Sequence, residues 1–425
     1  MKILWIVNTI FPFPSKQLGY KENVFGGWLL GLYNTIIKNN DIELAIATTY
    51  KKKEFLKFED KKTLYYLLPC KDNTKYDKNL EKYWKKIVSE FNPDIVHIHG
   101  SEFAQGLAFQ NACPNIKTVV SIQGIISSCA YNYIANINFK DIIKNITIRD
   151  IIKRDNILQQ QSKFEKRSKI ENQIIKNSYA IIGRTTWDYA HTYNIAGIDK
   201  YYKCNENLRD IFYNNYNWNI NKIEKFSIFI SQAGYSLKGF HIVLHAINIL
   251  KRKYPKINVY IAGPDITNKS TLKNKLKISG YAKYLISLIK KYDLETNIHF
   301  LGMLSETEIL ERFLKSHIFV QASSIENSSN SLGEAMILGV PCVASNVGGT
   351  NDLLIDKKEG YLYPFGDYNM MAYYINKIFN SDELAEQFSK NAKLHAKETH
   401  NKSMNAQNMI EIYKKIANCK HNGKE

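Results

Sequence analysis

The feature that most constrains the fold is an alternation of strands and helices that runs along the chain, stops in a polar stretch and then starts again. Short apolar segments typical of buried strands lie at 2–8, 43–48, 94–98, 117–122 and 179–183. A second series of such segments lies at 226–231, 258–263, 298–302, 318–323 and 341–345. Alternating strands and helices build parallel sheets covered by helices, so the pattern predicts an α/β protein.

The polar stretch 213–224 separates the two series and predicts a domain boundary. A chain of 425 residues also suits two domains, because a single domain rarely exceeds about 250 residues. We predict an N-terminal Rossmann-like domain at 1–215 and a C-terminal one at 225–400, facing each other across a cleft. Residues 381–418 have a helical pattern, and the C-terminal helix, which we predict at 401–425, is a candidate to cross back to the N-terminal domain.

The charge balance favours anionic partners. The chain has 58 Lys and Arg against 40 Asp and Glu, a net charge of +18, which attracts nucleic acid, phosphate-bearing substrates or anionic membranes. The 28 tyrosines are spread along the whole chain, whereas a single-strand nucleic-acid binder clusters aromatic and basic residues on one face. We therefore expect no nucleic acid as a partner.

Cysteine spacing and hydropathy indicate the compartment. The six cysteines form no C-x-x-C pair and no zinc-like cluster, which is typical of reduced cytosolic proteins. No stretch reaches the 18 apolar residues of a membrane-spanning helix. We expect a cytoplasmic protein, with peripheral binding to the inner face of the cell membrane as an option.

The most informative motif is ENSSNSLGE at 326–334. It follows a predicted strand and precedes a predicted helix, so Glu326 falls at the carboxyl end of a parallel strand, where α/β sheets bind ligands. Asn330, Ser331 and Leu332 fall where that helix starts, and the free N–H groups of a first turn suit a diphosphate. Glu334 lies one turn further on, where a carboxylate accepts hydrogen bonds from a ribose diol.

Each of these residues also has a purely structural interpretation. Ser331 and Glu334 have the spacing of a capping box, and Glu326 fits a solvated loop. Lys238 follows the strand at 226–231 and suits a phosphate, yet an isolated Lys-Gly pair is more often surface. The pairs Gly26-Gly27 and Gly348-Gly349 permit close approach to a ligand, but ordinary turns explain them equally well.

Taken together, these segments resemble the retaining GT-B glycosyltransferases called group 1 or family 4. The resemblance is strongest from about 226 to 365 and includes LKGFHIVLHAI, IAGP, HFLGMLSETEI, SSIENSSNSLGEAMILGVPCVASNVGGTNDLL and EGYLYPFGD. The N-terminal half resembles the family more loosely, through the glycines at 26–27, DIVHIHG at 94–100 and GRTTWDYA at 183–190.

The resemblance implies roles for the matching positions. Glu326 would contact the transferred sugar and Glu334 the nucleotide ribose. Lys238 would bind the donor diphosphate with help from the amides near Asn330 and Ser331. Gly26 and Gly27 would form the N-terminal loop that faces the donor phosphates.

Two positions depart from the family pattern. In the family an arginine usually precedes the matching lysine, here Lys238, by about six residues. This chain has SQA at 231–233 instead. Arg184 and Arg209 are candidates to replace the missing arginine. A histidine often follows the strand at 117–122, where this chain has Gln123. Glutamine hydrogen-bonds a sugar hydroxyl but does not act as an acid or base near pH 7. His99 is the nearest histidine at a strand end, with a structural role equally open to it.

The predicted function is transfer of a sugar from a nucleotide-sugar donor to a glycan or lipid-linked acceptor, with retention of configuration, in bacterial capsule or lipopolysaccharide synthesis. We predict Glu326, Lys238 and Gln123 as catalytic residues and expect neither a metal nor another cofactor. The chain contains no D-x-D pair. The alternative is a GT-B sugar-nucleotide 2-epimerase, which the K-G…E-x7-E string disfavours.

Two basic segments are candidates to face a membrane. Residues 139–176 carry ten Lys and Arg against five acids, and residues 269–291 carry seven Lys and no acid. Basic amphipathic stretches bind anionic lipid. A solvated helix face is the commoner explanation of each segment taken alone.

Overall fold

The computed structural model describes residues 1–20, 26–60 and 62–419. Within them the chain forms two compact units. The first contains Met1–Ser127, Glu165–Asp210 and the chain from His400, and the second contains Ser128–Phe164 and Ile211–Thr399. The domain bounds 1–215, 225–400 and 401–425 stay a prediction. The units differ from that division in Ser128–Phe164, which belongs to the second unit. The chain from His400 lies in the first unit.

The first unit is built on an eight-stranded sheet with the order β3-β4-β2-β1-β5-β6-β7-β8. All neighbours are parallel except β3 and β4, which form an antiparallel hairpin at one edge. Its strands are β1 (Lys2–Ile6), β2 (Glu43–Tyr50), β3 (Leu56–Asp60), β4 (Thr63–Pro69), β5 (Ile95–His99), β6 (Thr118–Ser121), β7 (Ala180–Gly183) and β8 (Tyr201–Lys203).

The second unit is built on a six-stranded sheet with the order β11-β10-β9-β12-β13-β14. Every neighbouring pair is parallel. Its strands are β9 (Glu224–Ile230), β10 (Asn258–Ile261), β11 (Ile298–Phe300), β12 (Ser316–Gln321), β13 (Cys342–Ser345) and β14 (Gly360–Tyr363). The prediction of two parallel, Rossmann-like α/β domains is confirmed.

Helices connect the strands in both units. In chain order they are α1 (Pro12–Gln17), α2 (Gly27–Ile36), α3 (Leu80–Phe91), α4 (Gln105–Ala112), α5 (Ile126–Tyr131), α6 (Phe139–Lys144), α7 (Ile148–Lys153), α8 (Ile157–Asn177), α9 (Thr186–Ala196), α10 (Phe240–Leu250), α11 (Leu272–Lys277), α12 (Gly280–Lys291), α13 (Glu306–Lys315), α14 (Asn330–Leu338), α15 (Thr350–Leu353), α16 (Tyr368–Phe379), α17 (Asp382–Thr399) and α18 (Lys402–Asn418). None of these helices combines the length and apolar composition that crossing a lipid bilayer requires.

Both faces of the first sheet are buried. Along β1, Ile3 and Trp5 enter a core cluster with residues of α2 and α18, whereas Leu4 and Ile6 enter a second cluster with residues of α3 and α4. Burial on both faces explains why β1 is a continuous apolar run. The Trp5 indole N–H donates to the Tyr413 hydroxyl of α18 at 3.1 Å, so α18 completes the core of the first unit.

The helical pattern at 381–418 forms two helices instead of one. Helix α17 ends at Thr399, and the Asn401 side chain accepts a hydrogen bond from the Met404 N–H to begin α18. Asparagine is a strong N-cap because its side chain satisfies an N–H that the helix leaves unpaired. The break falls at the boundary between the two units.

The strand order gives each sheet a point at which the loops after two neighbouring strands can hold a ligand between them. In the second sheet the chain proceeds outward from β9 through β10 to β11, then returns to the other side of β9 at β12. The loops after β9 and β12 therefore leave the sheet side by side at a topological switch point, where open α/β sheets bind ligands. The first sheet has the same arrangement at β1 and β5.

Candidate functional site

Lys238 and Glu326 meet at the switch point of the second sheet. Lys238 ends a 3-10 turn after β9, and Glu326 lies in the loop after β12. The Lys238 ammonium group donates to the Glu326 Oε1 atom in a close ion pair. Their side chains are only 22% and 18% exposed, so Lys238 is not an ordinary surface lysine and Glu326 is not a fully solvated loop residue.

The surroundings favour the charged form of Lys238. Burial by itself lowers the pKa of the amine, but the Glu326 carboxylate and the Tyr235 hydroxyl raise it. The net pKa lies above the ordinary lysine value. A cation held in this way, partly removed from water, interacts more strongly with a nearby anion than an exposed lysine does.

Two serines that the sequence did not single out position Glu326. The Ser323 hydroxyl donates to the Glu326 Oε1 atom at 2.8 Å. The Ser345 hydroxyl, at the end of β13, donates to the Ser323 carbonyl at 2.6 Å. The carboxylate is therefore oriented by the ends of two neighbouring strands.

Gly348 and Gly349 hold the backbone of Glu326. The Gly349 N–H donates to the Glu326 carbonyl at 3.1 Å. Gly348 has a φ of +53°, and a Cβ atom there would lie 1.9 Å from the same carbonyl oxygen. Only glycine fits this left-handed, crowded position. The close approach that the sequence suggested is therefore made to the Glu326 backbone.

Gly239 has a similar role beside Lys238. Its φ is +64°, and a Cβ atom would lie 1.8 Å from the Ala322 carbonyl oxygen at the end of β12. The Ser324 N–H donates to the Leu237 carbonyl at 2.7 Å. These contacts bind the loops after β9 and β12 to each other and fix the distance between the lysine and the glutamate.

Helix α14 begins four residues after Glu326, at Asn330. Ser329 is the N-cap, and its hydroxyl accepts from the Leu332 N–H at 3.4 Å. The structural interpretation in which Ser331 caps the helix and forms a capping box with Glu334 is therefore wrong, because the N-cap is Ser329. Within the described residues, no protein acceptor takes the N–H groups of Asn330 and Ser331, and these two amides remain available to an anion.

Glu334 lies in the second turn of α14 and is almost completely buried. The structure thus brings Lys238, Glu326 and the start of α14 to one edge of the second sheet, with Glu334 inside the same helix. Their predicted roles toward a donor remain predictions.

The other predicted residues lie in the first unit. Gly26 is the N-cap of α2, with a φ of +86°, and Gly27 is the first residue of that helix. The left-handed conformation explains the need for glycine at 26. The residues just before it, 21–25, fall outside the described ranges.

Gln123 belongs to a buried polar cluster that the sequence did not reveal. Its amide donates to the Glu206 Oε1 atom at 2.5 Å, and Glu206 forms an ion pair with the Arg184 guanidinium group. Burial raises the pKa of Glu206, whereas Arg184 lowers it. Arg184, one candidate to replace the missing arginine, is therefore held within the first unit by Glu206 and by the Ile122 carbonyl at 3.1 Å.

A cavity opens beside this cluster at the carboxyl ends of β5, β6 and β7. Its closed volume is only about 10 Å³, enough for about one water molecule, and its walls include Trp28, His99, Arg184 and Glu206. His99 is buried, and neither ring nitrogen has a hydrogen-bond partner among the described residues. Burial, with the neighbouring His97 ring, lowers the pKa of His99 well below its usual range, so the ring is neutral at physiological pH.

His97 shows the contrasting, structural role. Its two ring nitrogens are hydrogen-bonded to the Tyr413 hydroxyl at 2.5 Å and the Ser121 hydroxyl at 2.6 Å. Burial lowers the pKa of His97 to about 3. Of these two histidines, only His99 has ring nitrogens without a hydrogen-bond partner in the described part of the chain.

Comparison with known proteins identifies relatives of both the sequence and the fold. Residues 214–395 match the model of the family described as glycosyl transferases group 1. Spore coat protein SA of Bacillus subtilis (strain 168) is 24% identical over 194 residues, which are 45% of this chain and 49% of that protein. This chain therefore matches about half of that relative's length.

Two solved structures share the fold over nearly the whole chain. Sucrose-phosphate synthase from Thermosynechococcus elongatus superposes with a TM-score of 0.71 at 13% identity and covers 98% of each chain. Anabaena HepE in complex with UDP-glucose superposes with a TM-score of 0.67 at 15% identity, covering 98% of this chain and 100% of that one. At such identities the likeness concerns the fold.

Proposed function

We propose that the protein transfers a sugar from a nucleotide-sugar donor to a glycan or lipid-linked acceptor, because residues 214–395 match the model of the group 1 glycosyltransferases and the chain has the GT-B fold. The observation that carries the proposal is the Lys238–Glu326 ion pair beside the free amides of α14. One cation and two amides suit a diphosphate, and the adjacent carboxylate suits sugar hydroxyls.

Donor binding would rearrange the ion pair. Lys238 and Glu326 neutralise each other in their ion pair. A donor diphosphate competes with Glu326 for the Lys238 ammonium group, since a charge-assisted contact to phosphate replaces the contact to the carboxylate. Glu326, still held by Ser323, then accepts hydrogen bonds from the sugar. The two residues would thus bind the two halves of one substrate.

The same groups would promote the departure of the leaving group. Negative charge develops on the nucleoside diphosphate as the sugar–oxygen bond breaks. Lys238 and the N–H groups of Asn330 and Ser331 would stabilise this charge from fixed positions, and stabilisation of this kind accounts for much of the rate enhancement in many enzymes. We propose that the reaction proceeds with retention of configuration and without a metal ion, since these groups supply the positive charge.

We propose that the acceptor binds in the first unit, at the carboxyl ends of β5, β6 and β7. Trp28 offers an apolar ring surface there, and Gln123 and Glu206 offer hydrogen-bonding groups. This combination suits a sugar. A role in bacterial capsule or lipopolysaccharide synthesis in the cytoplasm completes the proposal.

A donor screen tests the proposal directly. The purified protein is incubated with UDP-, GDP-, ADP- and CMP-sugars, with and without EDTA. Release of the leaving group is measured, which is the nucleoside diphosphate for the first three donors and CMP for the last. We expect slow hydrolysis of one donor class that EDTA leaves unchanged. An epimerised sugar in place of free sugar would support the 2-epimerase alternative, and no turnover of any donor would contradict both enzymes.

A further inference from the structure

Three short helices of the second unit form a surface that combines exposed aliphatic side chains with lysines. They are α6 and α7, which lie within Ser128–Phe164, and α11, which follows β10. With Arg154, the C-cap of α7, these helices are called the basic aliphatic surface. The sequence identified its two segments separately, and the structure places α11 next to α7 and α6 next to α12.

Helix α7 turns its apolar residues toward solvent. Ile148, Ile151 and Ile152 are 74%, 67% and 76% exposed. Positions i, i+3 and i+4 lie on one side of a helix, so these isoleucines form a single ridge. The polar residues Arg149 and Asp150 face inward instead, with Asp150 completely buried. This distribution is the reverse of that in an ordinary surface helix.

Helix α11 has the same character. Leu272 and Leu276, one turn apart, are 74% and 68% exposed, and no residue of the helix is buried. Its other exposed side chains include Lys273, Lys275 and Lys277. Within the part of the chain that the structure describes, nothing covers the two leucines of α11.

The exposed helices are firmly held. Thr147 and Asp150 form a capping box at the start of α7. The Asp150 Oδ2 atom also accepts from the Gly280 N–H at 2.7 Å, and a Cβ atom at Gly280 would lie 2.7 Å from that oxygen. The isoleucine ridge is therefore presented by a fixed backbone, and its exposure does not result from fraying.

The polar part of the surface is strongly positive. Its exposed cations form no ion pair with a carboxylate of the described residues; they are Lys140, Lys144, Lys153, Arg154, Lys273, Lys275 and Lys277. The acid of α7 faces inward, and the acid of α6, Asp141, is half-buried. The surface thus offers unpaired positive charge around apolar ridges.

The charge of the basic aliphatic surface and its types of side chain indicate which kind of partner it binds. A second copy of the chain would bring two positive surfaces together, which is unfavourable. A single-stranded nucleic acid would call for aromatic platforms, whereas the ridges of α7 and α11 consist of isoleucine and leucine. An anionic lipid bilayer matches both features, because lysines attract the headgroups and aliphatic side chains enter the boundary with the acyl chains.

We propose that the basic aliphatic surface docks the protein peripherally on an anionic lipid bilayer. Ile148, Ile151 and Ile152, with Leu272 and Leu276, insert at the level of the headgroups, and the lysines contact lipid phosphates. The inference does not depend on the chemistry of the Lys238–Glu326 site, and donor hydrolysis reports on that site separately.

Vesicle co-sedimentation tests the docking surface. The full chain is mixed with phosphatidylcholine vesicles or with vesicles that also contain phosphatidylglycerol, at low and high salt. We expect binding to the anionic vesicles to exceed binding to the neutral ones by about tenfold or more, and to weaken with salt.

Two variants separate the contributions of apolar and charged side chains. The aliphatic variant is I151S/I152S/L272S/L276S, and its control is I198S/L394S, at exposed sites outside the surface. The charge variant is K153E/K273E/K277E, and its control is K78E/K256E/K390E, with the same change in net charge at exposed lysines elsewhere. We expect each surface variant to lose about tenfold or more in anionic-vesicle binding while both controls retain it.

Donor hydrolysis and circular dichroism check that every variant is folded. The proposal is overturned if the wild type shows no preference for anionic vesicles, or if the controls lose as much binding as the surface variants. It is also overturned if size-exclusion chromatography with light scattering shows a wild-type dimer that the aliphatic variant converts to a monomer. If the aliphatic variant misfolds, the charge variant alone decides.

Discussion

Lys238 is paired with Glu326 across the switch point of the second sheet. The two residues are far apart in the sequence and come from the loops after β9 and β12, which leave the sheet side by side. The pairing joins the groups proposed to bind the diphosphate and the sugar, and it makes the donor site testable through either partner.

Removing either partner should abolish most of the activity. We expect K238A and E326A each to lower kcat by about tenfold or more, because each removes a charged group that stabilises or positions the transition state. K256A, at an exposed lysine of the same unit, is the control and should retain full activity. Steady-state kinetics with the donor found in the screen provides the measurement, and wild-type rates in both folded variants would contradict the assignment.

The same pair should stabilise the fold cooperatively. E326A leaves a mostly buried lysine without its carboxylate, which we expect to cost about 1–3 kcal/mol and to lower Tm by several degrees. In the double variant K238M/E326A no charge remains to be compensated, so its loss in Tm should be smaller than the sum of the losses of E326A and K238M. If the Tm of the double variant falls by the sum of the two single losses, the ion pair does not contribute to stability.

Substitution of Gly348 should lower the activity more than substitution of an ordinary turn glycine does. In G348A the new Cβ atom meets the Glu326 carbonyl oxygen, and relief of this clash moves the backbone that carries the carboxylate. We expect kcat to fall by about tenfold, since small displacements of a positioned group have large effects on rate.

The control for this variant is G197A. Gly197 also has a left-handed φ, +74°, but a Cβ atom there would meet nothing within 4 Å. G197A should therefore lower Tm slightly through backbone strain and leave kcat unchanged. Equal kinetic losses in G197A and G348A would attribute the effect to strain alone.

Glu171 should make stability depend on pH. Burial raises the pKa of this carboxyl to about 8 from the usual value of 4.5, although bonds from Ser101 and the Ile126 N–H oppose the shift. The folded state thus binds more protons than the unfolded state between these values. The protonated Glu171 carboxyl therefore stabilises the folded state fully below about pH 4.5, and this stabilisation is lost as the pH rises through about 8.

Thermal melting across this range checks the prediction. Between about pH 6 and 8.5 the wild-type Tm should fall more steeply than that of E171Q, which has no proton to release. E165Q, at an exposed position of the same helix, should keep the wild-type slope.

Much of the architecture could be predicted from local patterns. The apolar segments coincide with strands because both sheets are parallel and buried, which makes each strand a continuous apolar run. The edge strand β3 was missed, since its exposed residues, such as Lys57 and Glu59, interrupt that signal. Strand β4 was also missed, although it is a buried apolar run like the others. The positions of Lys238 and Glu326 after β9 and β12 follow from the rule for switch points.

The contacts that shape the sites could not be predicted in this way. The approach of Gly348 to the Glu326 carbonyl and the link from Gln123 through Glu206 to Arg184 join residues that are distant in the sequence. The alternative in which Ser331 is the N-cap of α14 was wrong, because Ser329 and Ser331 are both good N-caps by type. Residue pattern alone does not distinguish them.

The position of α18 has a consequence for biosynthesis. This helix supplies Tyr413 and its neighbours to the core around Trp5, yet it follows the whole second unit in the sequence. On the ribosome, β1 therefore emerges long before the helix that covers it. We expect the second unit to fold first during translation and the first to mature only afterwards, so nascent chains arrested before residue 400 would present an open apolar face to chaperones.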